Sequence, residues 1–331
     1  MQKLGSVVFL TFVTCLAFAT SANAQRLAGA VAYPNKPVRL IVPSAPGSGT
    51  DGVGRMIGQG LSDSWGVPVV VDNRVGAGGI RAVTMIAKDT QRDGYTMMLG
   101  SIGHFSFAPV LRSKLPYDPY KDLAPISLVA TQPFVVVVNP SVPAGSIKEL
   151  IAYAKSRPGG VRYGSGGPGT AIHLGTELLQ LATGISMLHV PYRGSGPAMA
   201  ALMGGEIQFL MPGLAQTKAL MGSGKIKVLA LTSVKRSPAA PDLPTVAESG
   251  VPGFAFDVWY GLVFPSGVPR PILLRASSDI AMVLRSPDVS QRFSRLGLEP
   301  MSTTPDEFSA LIKKDAQKWA RVVKDANIKI Q

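Results

Sequence analysis

A glycine-rich turn between a strand and a helix is the segment of this sequence best suited to bind a small molecule. The apolar run ends at Pro43, the small polar stretch 44–50 follows, and helical periodicity starts at once with Val53. Ser48 can cap that helix, and Asp51 places a carboxylate in its first turn. The pattern therefore predicts a strand, a turn and a helix whose N-terminus lies beside the turn.

Main-chain amides are the groups that this turn offers to a ligand. Gly47 and Gly49 have no Cβ, so a ligand can approach the main chain closely. Helix N-termini attract anions, and Ser44 and Thr50 add hydroxyl groups. We expect the turn to bind a carboxylate. A glycine-rich turn without a ligand is the alternative.

The same residues also fit the dinucleotide fingerprint G-x-G-x-x-G, at Gly47, Gly49 and Gly52. Asp72 ends the next apolar run about twenty residues later, where an acidic residue would bind a ribose. The two prolines of the segment 43–46 make this loop wider and stiffer than the tight turn that a pyrophosphate needs. An NAD(P)-dependent oxidoreductase is the alternative function.

Small polar residues follow several later strands as well. Ligands of open α/β sheets bind beyond the carboxyl ends of the strands, so residues that follow strands meet at one rim. The further candidates for solute binding are Ser101, Gly103, His104, Ser165, Gly166, Thr170, His173, Tyr192 and Arg193. A surface charge is the alternative for Arg193, and packing or capping is the alternative for Thr170, His173 and Tyr192.

The first 24 of the 331 residues have the three regions of a secretory signal. Lys3 precedes an apolar run, and the small residues Ala22–Ala24 follow it. We expect cleavage after Ala24 and export to the periplasm. Cys15, the single cysteine, lies inside this segment, so the mature chain would form no disulfide.

The charge of the chain disfavours nucleic-acid binding. Lysine and arginine exceed aspartate and glutamate by 33 − 20 = 13, but the excess is scattered and forms no basic tract interleaved with aromatic residues. A diffuse positive field would instead raise the local concentration of small anions.

Strands alternate with helices along the chain, which predicts an α/β fold with mostly parallel sheets and flanking helices. Two long apolar strands, near 131–138 and 254–262, bracket a second strand–helix series. We interpret them as hinge strands between lobe 1 (25–130 plus 256–331) and lobe 2 (131–255).

Catalytic and metal-binding patterns are not found in the sequence. Its three histidines occur in no H-E-x-x-H motif, and its Gly-Ser-Gly triplets lack the spacing of a nucleophile elbow. We expect no enzymatic activity, no metal and no cofactor.

These segments together resemble the tripartite tricarboxylate transporter substrate-binding receptors, the Bug-type receptors. The resemblance rests on the order and spacing of short motifs over nearly the whole mature chain. The motifs are Tyr33-Pro34-Asn35-Lys36-Pro37, Pro43 to Asp51, Asp72-Asn73-Arg74, Asp93-Gly94-Tyr95-Thr96, Tyr163-Gly164-Ser165-Gly166, His189-Val190-Pro191-Tyr192-Arg193-Gly194 and Asp242-Leu243-Pro244-Thr245. The resemblance implies a two-lobed fold of the type II periplasmic-binding-protein kind, with a cleft between the lobes that closes on a small carboxylate-bearing solute.

The same resemblance implies delivery of the solute to integral-membrane permease subunits, and we expect the receptor to be a monomer. One departure from the family concerns Pro212, where relatives commonly carry an aspartate. Without that acidic acceptor, a plain or aromatic carboxylate becomes a better candidate solute than an amino acid.

Overall fold

The computed structural model describes residues 33–328. The expected signal segment, its cleavage site after Ala24 and Cys15 lie outside these residues. Residues 33–36 are in neither helix nor strand, and the Tyr33–Pro34 peptide bond is cis. All helices and strands of the described chain lie in residues 37–328.

Two β-sheets form the framework of this part of the chain. The strands are β1 (Val38–Val42), β2 (Val69–Asn73), β3 (Thr96–Ser101), β4 (Leu123–Pro133), β5 (Val135–Val138), β6 (Arg162–Ser165), β7 (Leu188–Pro191), β8 (Phe209–Leu210), β9 (Lys227–Leu231), β10 (Asp257–Pro265) and β11 (Glu299–Pro300). The first sheet has the order β11-β4-β10-β3-β1-β2, and the second has the order β7-β6-β8-β5-β9.

Helices connect these strands and cover the sheets. They are α1 (Gly49–Trp65), α2 (Ile80–Asp89), α3 (Ala108–Leu111), α4 (Ile147–Lys155), α5 (Ala171–Thr183), α6 (Ser195–Met203), α7 (Leu214–Lys218), α8 (Arg270–Arg285), α9 (Pro287–Arg295) and α10 (Pro305–Asp325). The predicted α/β class with two sheets and flanking helices is confirmed.

Both sheets are mixed, which corrects the prediction of mostly parallel sheets. In the first sheet β1 runs parallel to β2 and β3, but β10 runs antiparallel to β3 and β4. In the second sheet β6 runs parallel to β7 and β8, but β5 runs antiparallel to β8 and β9. Strands β1, β2 and β3 are joined through α1 and α2 and are parallel, because a crossover helix returns the chain to the same end of the sheet.

Two connections lead from one sheet to the other. β4 ends at Pro133 in the first sheet and β5 begins at Val135 in the second, while the segment between β9 and β10 brings the chain back. The aromatic rings of Phe134 and Phe256, one in each connection, lie 5.2 Å apart, and Phe256 also contacts Trp319 of α10. The core is therefore continuous across both connections.

Helix α10 begins as its sequence predicted. The Thr304 hydroxyl accepts the amide of Glu307, and the Glu307 carboxylate accepts the amide of Thr304. This reciprocal capping box, with Pro305 in the first turn, satisfies amides that the helix itself leaves unbonded. The helix packs on β4 through its buried face, which includes Phe308 and Trp319.

Candidate functional site

The turn after β1 is a compact unit built around the carboxylate of Asp51. Ser48 caps α1 by accepting the Asp51 amide at 3.2 Å, as predicted. The Asp51 carboxylate accepts the Gly47 amide, the Asn73 side-chain amide and the Arg55 guanidinium, each at 2.9 Å. Asp51 is 2% exposed. Its carboxylate thus shapes the turn, and Gly47 adopts a positive φ of 79° that favours glycine.

The first two amides of α1, those of Gly49 and Thr50, have no acceptor among the described residues. A Cβ built on Gly49 would meet no atom within 4 Å, so the main chain is open to solvent there. The Ser44 and Ser48 hydroxyls lie 2.7 Å apart and bond to each other. The part of the turn available to an anion is therefore smaller than the sequence suggested, because Gly47 already bonds to Asp51.

Burial would raise the pKa of Asp51, but the hydrogen bonds from Arg55, Gly47 and Asn73 outweigh it and hold the pKa below its usual value. The carboxylate is therefore ionised at neutral pH. A negative charge in the first turn also interacts favourably with the helix dipole.

The loop after β3 is held by His104. The Nδ1 atom of His104 accepts the Ser101 amide at 3.1 Å, and the other ring nitrogen donates to the Gly78 carbonyl. Burial lowers the pKa of His104 to about 4, so the ring is neutral. A Cβ on Gly79 would lie 2.2 Å from His104 Nε2, so only glycine fits there. His104 therefore ties the loop before α2 to the loop after β3.

The loop after β6 is organised by a second set of buried polar side chains. The hydroxyl of Ser165, a buried residue, lies 2.6 Å from His189 Nε2, and it accepts the Gly167 amide at 3.0 Å. His173 Nδ1 accepts the Gly169 amide at 3.0 Å. Burial, together with the neighbouring His189, lowers the pKa of His173 to about 4. Both histidines therefore act on the loop from within the protein.

Helix α5 begins at this loop with unbonded amides. Its N-cap Thr170 donates its hydroxyl to the Gly167 carbonyl and caps no amide of the first turn. The amides of Ala171 and Ile172 have no acceptor among the described residues. Free first-turn amides and the helix dipole together favour an anion at this position.

A cavity of about 430 Å³ lies between the loops of the two sheets. Its lining residues come from the segment before α2, from the loop after β3 with α3, from the start of α5 and from β10. They are Ala77, Gly78, Ile80, Ser101, Ile102, Gly103, His104, Phe107, Ala108, Leu111, Arg112, Pro168, Gly169, Thr170, Ala171 and Val258. Most are apolar, and the polar groups lie at the two loops, as in many small-molecule sites.

The structure brings four of the predicted site residues to this cavity: Ser101, Gly103, His104 and Thr170. Predicted residues of the first turn instead line a separate open depression beside Leu296, namely Gly47, Ser48, Gly49 and Asp51. Thr50 lines neither the cavity nor this depression. Its side chain forms a hydrogen bond with the Tyr260 hydroxyl, and that hydroxyl donates to the Gln132 side-chain oxygen at 3.2 Å.

The remaining predicted residues lie around the second sheet. Gly166 lies close to the main chain of Gly194: a Cβ placed on Gly166 would be 3.5 Å from the Cα atom of Gly194. The Tyr192 hydroxyl lies 3.5 Å from Glu206, and Arg193 is exposed. Pro212 is buried, and its carbonyl oxygen accepts the Val135 amide at 2.9 Å. None of these residues lines the cavity.

Sequence reasoning missed Arg112 and the apolar wall of the cavity. Arg112 directly follows α3 and is the one arginine among the residues that line the cavity, which also include the start of α5. Phe107 directly precedes α3, and Leu111 is the last residue of α3. One feature of the sequence could have predicted these lining residues. The chain continues from Ser101 directly into a short helix, so the residues of that helix must lie at the same end of the sheet as Ser101.

The fingerprint for a dinucleotide is disfavoured by the partners of Asp72. Its carboxylate forms ion pairs with the guanidinium groups of Arg39 and Arg74, so it is not free to bind a ribose.

Within residues 33–328 no three histidine, cysteine, aspartate or glutamate side chains are grouped to hold a metal ion. No helix of the described chain combines the length and the apolar character needed to cross a membrane.

Comparison with solved structures supports the fold. The structure of Rpa4515 from R. palustris with adipate superposes with a TM-score of 0.76 at 34% identity, over 90% of this chain and 99% of that one. MatC from Rhodopseudomonas palustris with bound malate gives a TM-score of 0.71 at 30% identity, over 88% of this chain and all of that one.

Comparison at the sequence level gives the family. Protein BugT of Bordetella pertussis is 37% identical over 319 residues, which is 95% of this chain and 96% of BugT. The family model described as tripartite tricarboxylate transporter family receptor matches residues 53–328. Members of this family are periplasmic solute receptors. The chain belongs to the tripartite tricarboxylate transporter receptor family.

Proposed function

We propose that this protein is an extracytoplasmic receptor that closes two lobes over a small carboxylate-bearing solute and delivers the solute to a membrane permease. The observation that carries the proposal is the cavity between the loops of the two sheets, with the open amides of α5 at one wall. Adipate and malate, named with two similar structures, are carboxylates of a size that such a cavity accepts.

In this proposal closure of the lobes brings the depression at the turn after β1 to the cavity, so that a carboxylate lies between two helix N-termini. The amides of Gly49 and Thr50 approach it from one lobe, and those of Ala171 and Ile172 from the other. The hydroxyl groups of Ser44, Ser48, Ser101 and Thr170 would add hydrogen bonds. The buried Ser165 hydroxyl, bonded to His189 and to the Gly167 amide, would shape the loop, and Tyr192 would reach the solute only on closure. Closure removes water from the cleft, which strengthens each hydrogen bond to the charged group.

The positive residues would act at two distances. Arg112 lines the cavity and would bind a second anionic group of the solute directly. Arg193 is exposed at the end of β7 and would add positive potential near the rim. Pro212 offers no acidic acceptor, so a plain or aromatic carboxylate fits better than an amino acid.

The two lobes of the proposal are residues 25–130 with 256–331, and residues 131–255. The hinge strands are near 131–138 and 254–262, where the chain passes between the sheets. Solute shifts the open–closed equilibrium only by its extra affinity for the closed form. We further propose that the protein reaches the periplasm by cleavage after Ala24 and acts as a monomer.

Ligand screening tests the proposal. Protein purified from the periplasm of its host is analysed by native mass spectrometry for a small acid that stays bound. The purified protein is then tested by thermal shift with adipate, malate, benzoate, aspartate and NADH. We expect a carboxylate to raise the melting temperature, because a ligand at 100 times its Kd adds about 2.7 kcal/mol of stability. Stabilisation by NADH and by none of the carboxylates would refute the proposed receptor function. Stabilisation by aspartate but not by the simple carboxylates would refute the role of Pro212.

A further inference from the structure

Three near-parallel aromatic rings form a stack beside the candidate solute loop: Tyr163 of β6, His189 of β7 and His173 of α5. Ring centroids lie 4.9 Å apart for Tyr163 and His189, 4.2 Å apart for His173 and His189, and 6.3 Å apart for Tyr163 and His173, so the three centroids form a triangle. The planes of neighbouring rings differ by only 18° and 14°. His173 is 7% exposed, and His189 is half-buried. The stack therefore fixes the orientation of both imidazoles.

Each imidazole bonds to one end of the loop segment 165–169. His189 Nε2 lies 2.6 Å from the Ser165 hydroxyl, and His173 Nδ1 accepts the Gly169 amide at 3.0 Å. The amide can only donate, so His173 must be unprotonated at Nδ1 and carries its hydrogen on Nε2. A protonated His173 would place an N–H group against the Gly169 N–H, and the bond would be lost.

The groups that face His173 come from each neighbouring element. Glu177 of α5 has a carboxylate oxygen 3.9 Å from His173 Nε2, and the Tyr163 hydroxyl of β6 donates to that carboxylate. His189 of β7 faces the other side of the ring. Helix α6, which packs on β6, carries no titratable residue. The charged residues Lys314, Lys318, Arg321 and Asp325 of α10 instead line a groove with Leu178, Leu181 and Ala182 of α5.

We propose that His173 and His189 are positioning residues for this loop: the neutral pair holds residues 165–169 in the shape that binds solute, and a proton on His173 releases them. The inference rests on the proposed function, because it assigns the loop to the solute site. Burial of a charge in this stack is unfavourable, and a second charge 4.2 Å away would be more so. The loop is therefore rigid at neutral pH and loosens in acid.

A measurement without solute tests the link between ring and loop. In ¹⁵N-labelled protein we expect His173 to carry its hydrogen on Nε2 at pH 7. We also expect the amide resonances of residues 166–170 to shift with the midpoint of its titration, at about pH 4. In His173→Asn, whose side-chain oxygen can accept the Gly169 amide but takes up no proton, these shifts should disappear. Loop resonances that stay constant while His173 titrates would overturn the inference.

Solute binding supplies the second arm, with adipate and malate as probes. His173→Phe keeps a stacked ring without an acceptor, so we expect a Kd that is weaker by roughly three- to tenfold at pH 7, the effect of one hydrogen bond. His173→Asn should bind nearly as the wild type does at pH 7 and should lose less affinity towards pH 4. Protonation of the probe itself affects both proteins equally, so the difference between them isolates the histidine.

The two proposals fail in different ways. Unchanged affinity and an unchanged pH profile in both variants, with a wild type that binds, would reject the positioning role and leave the receptor function intact. A wild type that binds no carboxylate, with a loop that still titrates with His173, would reject the receptor function and leave the link between ring and loop intact. Circular dichroism of each variant checks the fold.

Discussion

Replacement of Asp51 by alanine should both destabilise the protein and weaken solute binding. The carboxylate is 2% exposed and accepts three hydrogen bonds, from Gly47, Asn73 and Arg55. Alanine would leave the Gly47 amide without an acceptor, and the Asn73 side-chain amide would keep only its bond to the Ser44 carbonyl. The turn after β1 would then lose one of the two hydrogen bonds that join it to the Asn73 side chain at the end of β2.

The magnitude follows from the three partners. A hydrogen bond to a charged group contributes about 1.5–3 kcal/mol, so the Gly47 and Asn73 bonds together contribute about 3 kcal/mol at the lower end. The Arg55 side chain is 55% exposed, and such an i,i+4 pair adds only about 0.3–0.5 kcal/mol. We expect Asp51→Ala to lower the free energy of unfolding by about 3 kcal/mol.

The same carboxylate predicts a dependence on pH. The pKa of Asp51 is held below its usual value in the folded protein, so its contribution is complete above the ordinary carboxyl pKa of about 4. The contribution is lost as the pH falls through the lower folded value. The stability difference between wild type and Asp51→Ala should therefore shrink in acid.

Urea unfolding at pH 7 and pH 3, followed by circular dichroism, measures both effects. Asp63→Ala is the matched control, because Asp63 lies on the same helix, is exposed and accepts only the Gln59 side chain. We expect the control to change stability by less than about 0.5 kcal/mol. If Asp51→Ala behaved as Asp63→Ala does at pH 7, the buried carboxylate would not be the centre of the turn.

Three further predictions concern single positions. Gly49→Val should abolish adipate binding, as measured by calorimetry, because the valine side chain would cover the free amides. The melting temperature should stay nearly unchanged, because a Cβ on Gly49 meets no atom within 4 Å. Unchanged affinity would show that this turn is not part of the solute site. Burial raises the pKa of Asp257 to about 8, so the stability it contributes below about pH 4 is lost as the pH rises through 8. Asp257→Asn should remove that slope in urea unfolding at pH 5 and pH 9, and an equal slope in both proteins would contradict the assignment. Arg112→Gln should weaken malate more than benzoate in calorimetry, since malate has a second carboxylate; equal losses would place Arg112 outside the solute contacts.

Local patterns made much of the fold predictable. The strand, turn and helix around Ser48 and the start of α10 at Thr304 follow from caps and periodicity within a few residues. Such signals are local, since a cap bonds to an amide three positions away. The α/β class and the family resemblance rest on the same kind of short-range pattern, repeated along the chain.

The partners of the site residues could not be read in this way. Asn73 bonds to Asp51 from 22 positions away, and His189 bonds to Ser165 from 24 positions away. His104 was predicted to bind solute, yet both of its ring nitrogens bond to main-chain groups. Partner choice over such separations depends on which strands become neighbours, and several neighbours satisfy the same sequence pattern.

The sequence by itself determined where polar, glycine-rich loops follow strands, because a helix cap and an apolar run are encoded by adjacent residues. Only the tertiary structure decided which loops meet. It placed the cavity between the loops after β3 and β6, and it left the turn after β1 in a separate depression. The physical reason is the mixed pairing of the sheets, since strand order and direction bring each loop to its position in space.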